Sequence, residues 1–177
     1  MKVLLSWSSG KDAAYALHRL RQDPGLEVAG LLSTINEAAQ RVSMHAVRRS
    51  LLEMQAQAVG VPLFVAALPF PCSDEAYASA MASALADARS LGVEAVAFGD
   101  LFLEDVRAYR EQRMQATGMA ALFPLWGEPT QRLAAELIEA GTRAVLTCVD
   151  PRVLAPAFAG RAFDRRLLAE LPEGVDP

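Results

Sequence analysis

The stretch Ser6-Trp7-Ser8-Ser9-Gly10-Lys11-Asp12-Ala13 follows directly on the apolar run Val3-Leu4-Leu5. Small side chains ahead of a helix let backbone N–H groups approach an anion. The first helical turn adds unpaired N–H donors and the positive end of the helix dipole. Lys11 places a full positive charge where phosphate oxygens would lie. Ser8, Ser9, Gly10, Lys11, Asp12 and Ala13 therefore read as a phosphate cradle; an ordinary strand-to-helix turn with a solvated lysine is the plainer alternative. It is not a Walker loop, which needs Gly five residues before its Gly-Lys pair and Ser or Thr after the Lys. Leu5 and Asp12 hold those positions. The three spaced glycines of a dinucleotide fingerprint are absent too.

Further groups could join this chemistry. Asp100 follows Gly99 at the expected end of a strand, where a carboxylate can hold Mg²⁺ or polarise a substrate, or simply cap a turn. Asp12 would repel phosphate unless it faces Mg²⁺ or bonds N–H groups of its own loop. His45 opens an expected helix behind the polar residues 36–43; it could touch a nucleotide or stand solvated in the first turn. His18 is assigned to the surface. Arg107, Arg110 and Glu111 share one helix face by three- and four-residue spacing. That pattern is either a solvated, salt-bridged face or a binding surface, since guanidinium forks suit carboxylate and phosphate partners. Trp126 reads as core packing ahead of an adenine platform. Cys72 and Cys148 match no metal or redox spacing and read as unlinked thiols.

The bulk numbers set the frame. A chain of 177 residues, 53% hydrophobic and 21% charged, can bury the core of one domain, with a modest extension. A net charge of −4 and a pI near 5.2 argue against a broad nucleic-acid surface. No apolar run is long enough to span a membrane. The N-terminal run is interrupted too early for a secretory signal, which predicts a cytoplasmic protein.

The elements that must carry these residues alternate. Strands are expected over 2–7, 26–34, 63–68 and 93–98. Helices are expected over 11–22, 45–59 and 73–91, the last capped by Ser73 or Asp74. For 45–59, Val47, Leu51, Met54 and Ala58 form the expected apolar face. A helix over 103–117 and a brief strand over 120–123 follow. Beyond Pro124-Leu125-Trp126-Gly127 come a helix over 130–140, a strand over 144–149 and a helix over 164–170. Strand–helix repeats with short loops predict an α/β fold, a Rossmann-like, mostly parallel sheet covered on both faces, with a smaller C-terminal α/β portion. Ligands should then collect beyond the carboxyl ends of the first, second and fourth strands. Residues 1–100 read as the phosphate-binding region and 101–177 as the substrate-binding region, continuous with it.

The loop matches the pyrophosphate-loop pattern Ser-Gly-Gly-Lys-Asp-Ser. With Ser43-Met44-His45, Gly99 through Arg107 and Glu111, Pro124-Leu125-Trp126 and Val149-Asp150, the chain resembles the diphthine–ammonia ligase family. That family is a branch of the pyrophosphate-loop ATPases in the adenine-nucleotide α-hydrolase-like superfamily. The resemblance implies ATP with Mg²⁺, a carboxylate acceptor, ammonia, and amide formation through an acyl-adenylate. It implies that Lys11, Asp100 and Glu111 act in catalysis and that Asp12 meets the metal. His45 and Gly99 would join the loop around the nucleotide, while Asp100, Arg107, Arg110 and Glu111 would hold the acceptor. In some members the acceptor is diphthine; a homodimer is also implied. Ser9 and Ala13 depart from the pattern, at positions where it has Gly and Ser. The family also continues past a segment like residues 171–177 into a Gly/Glu-rich stretch, so the resemblance favours ATP binding over the ligase step. The alternatives are an adenine-nucleotide-binding module without turnover and, less favoured, a tRNA-modifying pyrophosphate-loop enzyme.

Overall fold

The computed structural model describes residues 1–177. Its first compact unit, Met1–Trp126, carries a six-stranded sheet. The chain runs β1 (Lys2–Ser6), α1 (Lys11–Gln22), β2 (Glu27–Asn36), β3 (Arg41–Val42), α2 (Arg49–Val59), β4 (Leu63–Leu68), α3 (Asp74–Ser90), β5 (Ala95–Ala97), α4 (Glu104–Thr117) and β6 (Ala120–Leu122). Five strands pair in parallel in the order β4-β2-β1-β5-β6. The chain therefore steps outward from β1 in one direction, then returns and steps outward in the other. The reversal lies between β1 and β5, where an open parallel sheet forms its crevice. The fold is α/β and Rossmann-like.

Burial explains the strands. Val3, Leu4 and Leu5 are fully buried, as are Ala95, Val96 and Ala97, because both faces of these central strands are covered. Leu4, Leu32, Ala66 and Val96 pack against Ala84, Leu85 and Ala88 of α3 and Met114 of α4. In α1, Ala13, Ala16, Leu17 and Leu20 form the buried stripe at helical spacing. The α3 N-terminus is capped as expected, the Ala76 N–H donating to Ser73 Oγ at 3.2 Å.

The helix expected over 45–59 starts later and turns another face inward. It begins at Arg49 and buries Leu52 and Ala56, while Leu51 and Met54 are exposed. The segment carries two apolar stripes, and periodicity alone does not choose between them. What displaces the start is β3, which sequence patterning misses because it is two residues long. Val42 donates its N–H to Val47 O at 2.8 Å, so residues 43–46 form a turn and not helix.

The position of β3 matters for the site. It pairs antiparallel with β2 through Ile35–Val42 and Asn36–Arg41. On one edge of β2, Ile35 and Asn36 already pair with Ala67 and Leu68 of β4. β3 must therefore occupy the other edge, which β1 uses from Lys2 to Ser6. It continues the sheet just where β1 stops.

The second compact unit, Gly127–Pro177, holds α5 (Thr130–Glu139), a short 3-10 turn (Pro156–Phe158) and α6 (Arg165–Glu170). Leu133, Ala134 and Leu137 form the buried side of α5. Asp164 caps α6 by accepting the Leu167 N–H at 2.8 Å. The strand expected over 144–149 does not form: Val145 makes a single bridge with Ala162. Ala144 and Leu146 bond residues 160–163, which is too short a partner for a ladder.

Candidate functional site

The bend after β1 is fixed from several sides. Trp7 donates its N–H to Leu32 O at 2.8 Å, its carbonyl accepts from the Ser33 hydroxyl, and its indole N–H donates to Gln55 Oε1 at 3.1 Å. The loop that follows has one unusual angle. Ser9 adopts φ +66°, the left-handed region that the glycine of the pyrophosphate-loop pattern would enter without cost. The Ser9 hydroxyl is buried and has no hydrogen-bond partner. Gly10 caps α1 with no side-chain bond, so the first-turn N–H groups of this twelve-residue helix are left to an outside acceptor.

Two glycines set close approaches. A Cβ on Gly10 would lie 2.8 Å from His45 Nε2, so the imidazole rests directly on the loop. A Cβ on Gly99 would lie 3.3 Å from Ala13 N and from the Asp12 carbonyl carbon. The end of β5 thus abuts the first turn of α1. Beyond these ends opens a cleft of about 420 Å³. Ser8, Asp12, Ala13, His45, Gly99, Asp100 and Arg110 all line it.

Ser9, Gly10 and Lys11 are not among the residues lining the cleft, and the charges in and beside it are paired. Lys11 Nζ lies 2.8 Å from Asp12 Oδ1, with both side chains partly exposed. Arg110 Nε lies 3.0 Å from Asp100 Oδ2, and its guanidinium stands 4.6 Å over the Phe98 ring. Asp100 is neither cap nor bare turn residue, since Leu103 holds the α4 N-cap. Burial pushes the Tyr77 phenol above its ordinary range, with Arg110 and Arg113 pulling the other way.

Arg107 and Glu111 are not brought to this cleft. Arg107 Nε pairs with Glu111 Oε1 at 2.8 Å, and its guanidinium lies 4.9 Å from the Phe123 ring and 4.7 Å from the Trp126 ring. The shared helix face expected for Arg107, Arg110 and Glu111 is divided between two sets of aromatic partners. Tyr77, Met81, Thr34 and Phe98 also line the cleft. Phe98 had a signal, its place before Gly99-Asp100. Tyr77 had none, because α3 approaches only through tertiary packing. His18 is exposed and stacks on Tyr15, as its surface assignment expected. Cys72 and Cys148 are free and exposed.

The family called diphthamide synthase N-terminal domain matches residues 1–121, from β1 into β6. The chain belongs to that family. It carries a domain of the pyrophosphate-loop ATPase type, and membership implies the use of ATP. No curated protein matches the chain.

The residues present fit a nucleotide's phosphates. The buried, unpartnered Ser9 hydroxyl and the uncapped α1 N-terminus are donors in want of an acceptor. For a metal, no group of three or more His, Cys, Asp and Glu side chains exists. Asp12 and Asp100 are the carboxylates of the cleft. That suits Mg²⁺, which commonly takes one or two protein carboxylates and completes its shell with phosphate and water. No helix is long and apolar enough to cross a membrane.

Proposed function

We propose that this chain is an ATP-dependent, AMP-forming amide ligase that joins ammonia to a carboxylic acid. An acid oxygen displaces pyrophosphate from the α-phosphate of ATP. Ammonia then displaces AMP from the acyl group and loses a proton. The observation that supports this most is one cleft carrying a phosphate cradle on one wall and the Asp100–Arg110 pair on another.

Placement supports the following roles. The α1 N-terminus, the Ser8 and Ser9 hydroxyls and Lys11 hold phosphate oxygens and stabilise charge on the departing pyrophosphate. Asp12 is the carboxylate for Mg²⁺, which would neutralise phosphate charge when bound. His45 and Gly10 flank the nucleotide, and Gly99 lets β5 close on the loop. Asp100 and Arg110 serve the acceptor. Glu111, paired outside the cleft, holds Arg107 against Phe123 and Trp126 and positions α4.

Labelled ATP incubated with protein, ammonia and a panel of carboxylic acids should release pyrophosphate and AMP with the right acid. Release of ADP and phosphate alone would refute the mechanism. The second reading, a nucleotide-binding module without turnover, draws on two observations. Ala13 brings no hydroxyl to the loop, and Glu111 stands outside the cleft. ATP binding by calorimetry with no pyrophosphate exchange against any acid would select it.

A further inference from the structure

A second cavity, of about 270 Å³, lies between α3 and α4. It shares a wall with the nucleotide cleft: Tyr77, Met81, Phe98 and Arg110 line both. Its other walls are apolar, supplied by Ala78 and Leu85 of α3 and by Met114 and Ala116 of α4. The polar groups are Arg110, Arg113, Tyr77, Tyr109 and Thr117, whose hydroxyl donates to Met114 O at 2.7 Å, and no carboxylate lines the space.

The charge sign decides what this cavity can take. An aromatic cage for a cationic ligand needs free ring faces. Here the Phe98 face carries Arg110 at 4.6 Å, and the Tyr109 face carries Arg113 at 5.2 Å. A cation would meet two positive charges, and two of the cavity's rings already carry a guanidinium. An anion would find guanidinium forks suited to a carboxylate. Arg110 and Arg113 both line the space, and both oppose the rise that burial gives the Tyr77 pKa. Asp100 bonds Arg110 through Nε. The Tyr77 phenol also hydrogen-bonds this guanidinium, and the N–H groups left over are open to a ligand.

We propose that this cavity holds the apolar body of a monocarboxylic acid whose carboxylate is received by Arg110 at the shared wall, next to the nucleotide cleft. The proposal rests on the ligase reading and names the acceptor class: a short acid with a phenyl-sized or medium alkyl body. A volume of about 270 Å³, just under the range of pockets for drug-sized ligands, suits a body of that size.

The test uses 3-phenylpropanoate, titrated into the full chain without nucleotide and followed by ligand-observed NMR and calorimetry. Its uncharged amide and a trimethylammonium compound with the same body are the controls. Ala116 is exposed and lines this cavity and not the cleft, so Ala116→Trp fills the one and spares the other. The acid should bind at least tenfold more weakly to Ala116→Trp and to Arg113→Gln, with ATP affinity within twofold of the parent for both. The amide should bind at least tenfold more weakly than the acid, and the ammonium compound not at all. No acid binding, equal binding of the amide, or unchanged affinity in Ala116→Trp would each overturn the proposal. Acid binding without any ATP binding would overturn the ligase reading while supporting the acid site.

Discussion

Replacing Ser9 by glycine should stabilise the free protein and weaken its hold on ATP. At φ +66° an L-residue in the left-handed region costs about 1–2 kcal/mol, which glycine avoids. Glycine also frees the unfolded chain, returning about 0.4–1 kcal/mol of that gain. The Ser9 hydroxyl is buried with no partner, and removing such a group recovers about 1–3 kcal/mol. The net is a stabilisation of about 2 kcal/mol. For a chain of this length that raises Tm by roughly 4–8 °C. Ser9→Ala separates the terms, because it removes the hydroxyl and keeps the Cβ at the same angle. It should gain less than Ser9→Gly. With ATP present the gain narrows by about 1.4 kcal/mol: the parent hydroxyl acquires a charged acceptor, and both variants should bind ATP roughly tenfold more weakly. Differential scanning calorimetry with and without nucleotide reads both effects. A fall in Tm for Ser9→Gly, or ATP affinity unchanged in both variants, would refute the account of the loop.

Lys11→Ala should lower ATP affinity at least tenfold by calorimetry, since a charged phosphate contact is lost. Its stability should fall by less than about 1 kcal/mol in urea, because the Lys11–Asp12 pair is partly exposed. Gly99→Ala and Gly10→Ala should differ sharply in thermal melts. The added methyl at Gly99 meets backbone of α1 that cannot swing aside and should cost about 1–3 kcal/mol, whereas at Gly10 it meets the exposed His45 ring, which can, for about 0.5 kcal/mol or less. Tyr77→Phe should flatten the alkaline limb of stability. A phenol whose folded-state pKa is raised contributes fully below its ordinary value, near 10, and loses that contribution as pH rises through the folded value. Urea midpoints from pH 8 to 11 check this, and identical alkaline limbs in the two proteins would refute it.

What the sequence makes legible here is what is local. The limits of α1 and β4 follow from Pro, Gly and the change of apolar period around them, and the α3 cap from Ser73. The cradle, Gly99 and Asp100 are legible because each lies within a few residues of a strand end, and the parallel topology gathers strand ends. What escaped depends on partners distant in the chain. α2 carries two apolar stripes, and only docking on the sheet selects Leu52 and Ala56 over Leu51 and Met54. Residues 144–149 have strand composition but meet only the few residues 160–163. Arg107 and Arg110 sit close on one helix, and nothing in their spacing tells that one turns to Phe123 and Trp126 while the other turns to Phe98. Tyr77 reaches the cleft by the way α3 packs, which no local pattern encodes.

The two-residue strand β3 leads into a turn that lines the cleft, and that turn is strained. In the turn after β3, His45 and Ala46 take φ +54° and +50°, left-handed angles that cost non-glycine residues of order 1–3 kcal/mol each. Such angles persist only where surrounding bonds over-determine them. Here Ser43 donates its N–H to Thr34 O at 2.9 Å, and Arg41 Nη1 donates to Ala46 O at 2.7 Å. Because β3 takes the edge of β2 that β1 vacates, the turn is carried over the end of β1, and its His45 ring comes to rest on Gly10. Gly10 thus stands in two places at once, as the helix cap without a side-chain bond and as the floor beneath the imidazole. The Ser43-Met44-His45 stretch and the loop, more than thirty residues apart, form one wall. A side chain added at Gly10 would displace the His45 ring, so a change in the loop is felt in the turn.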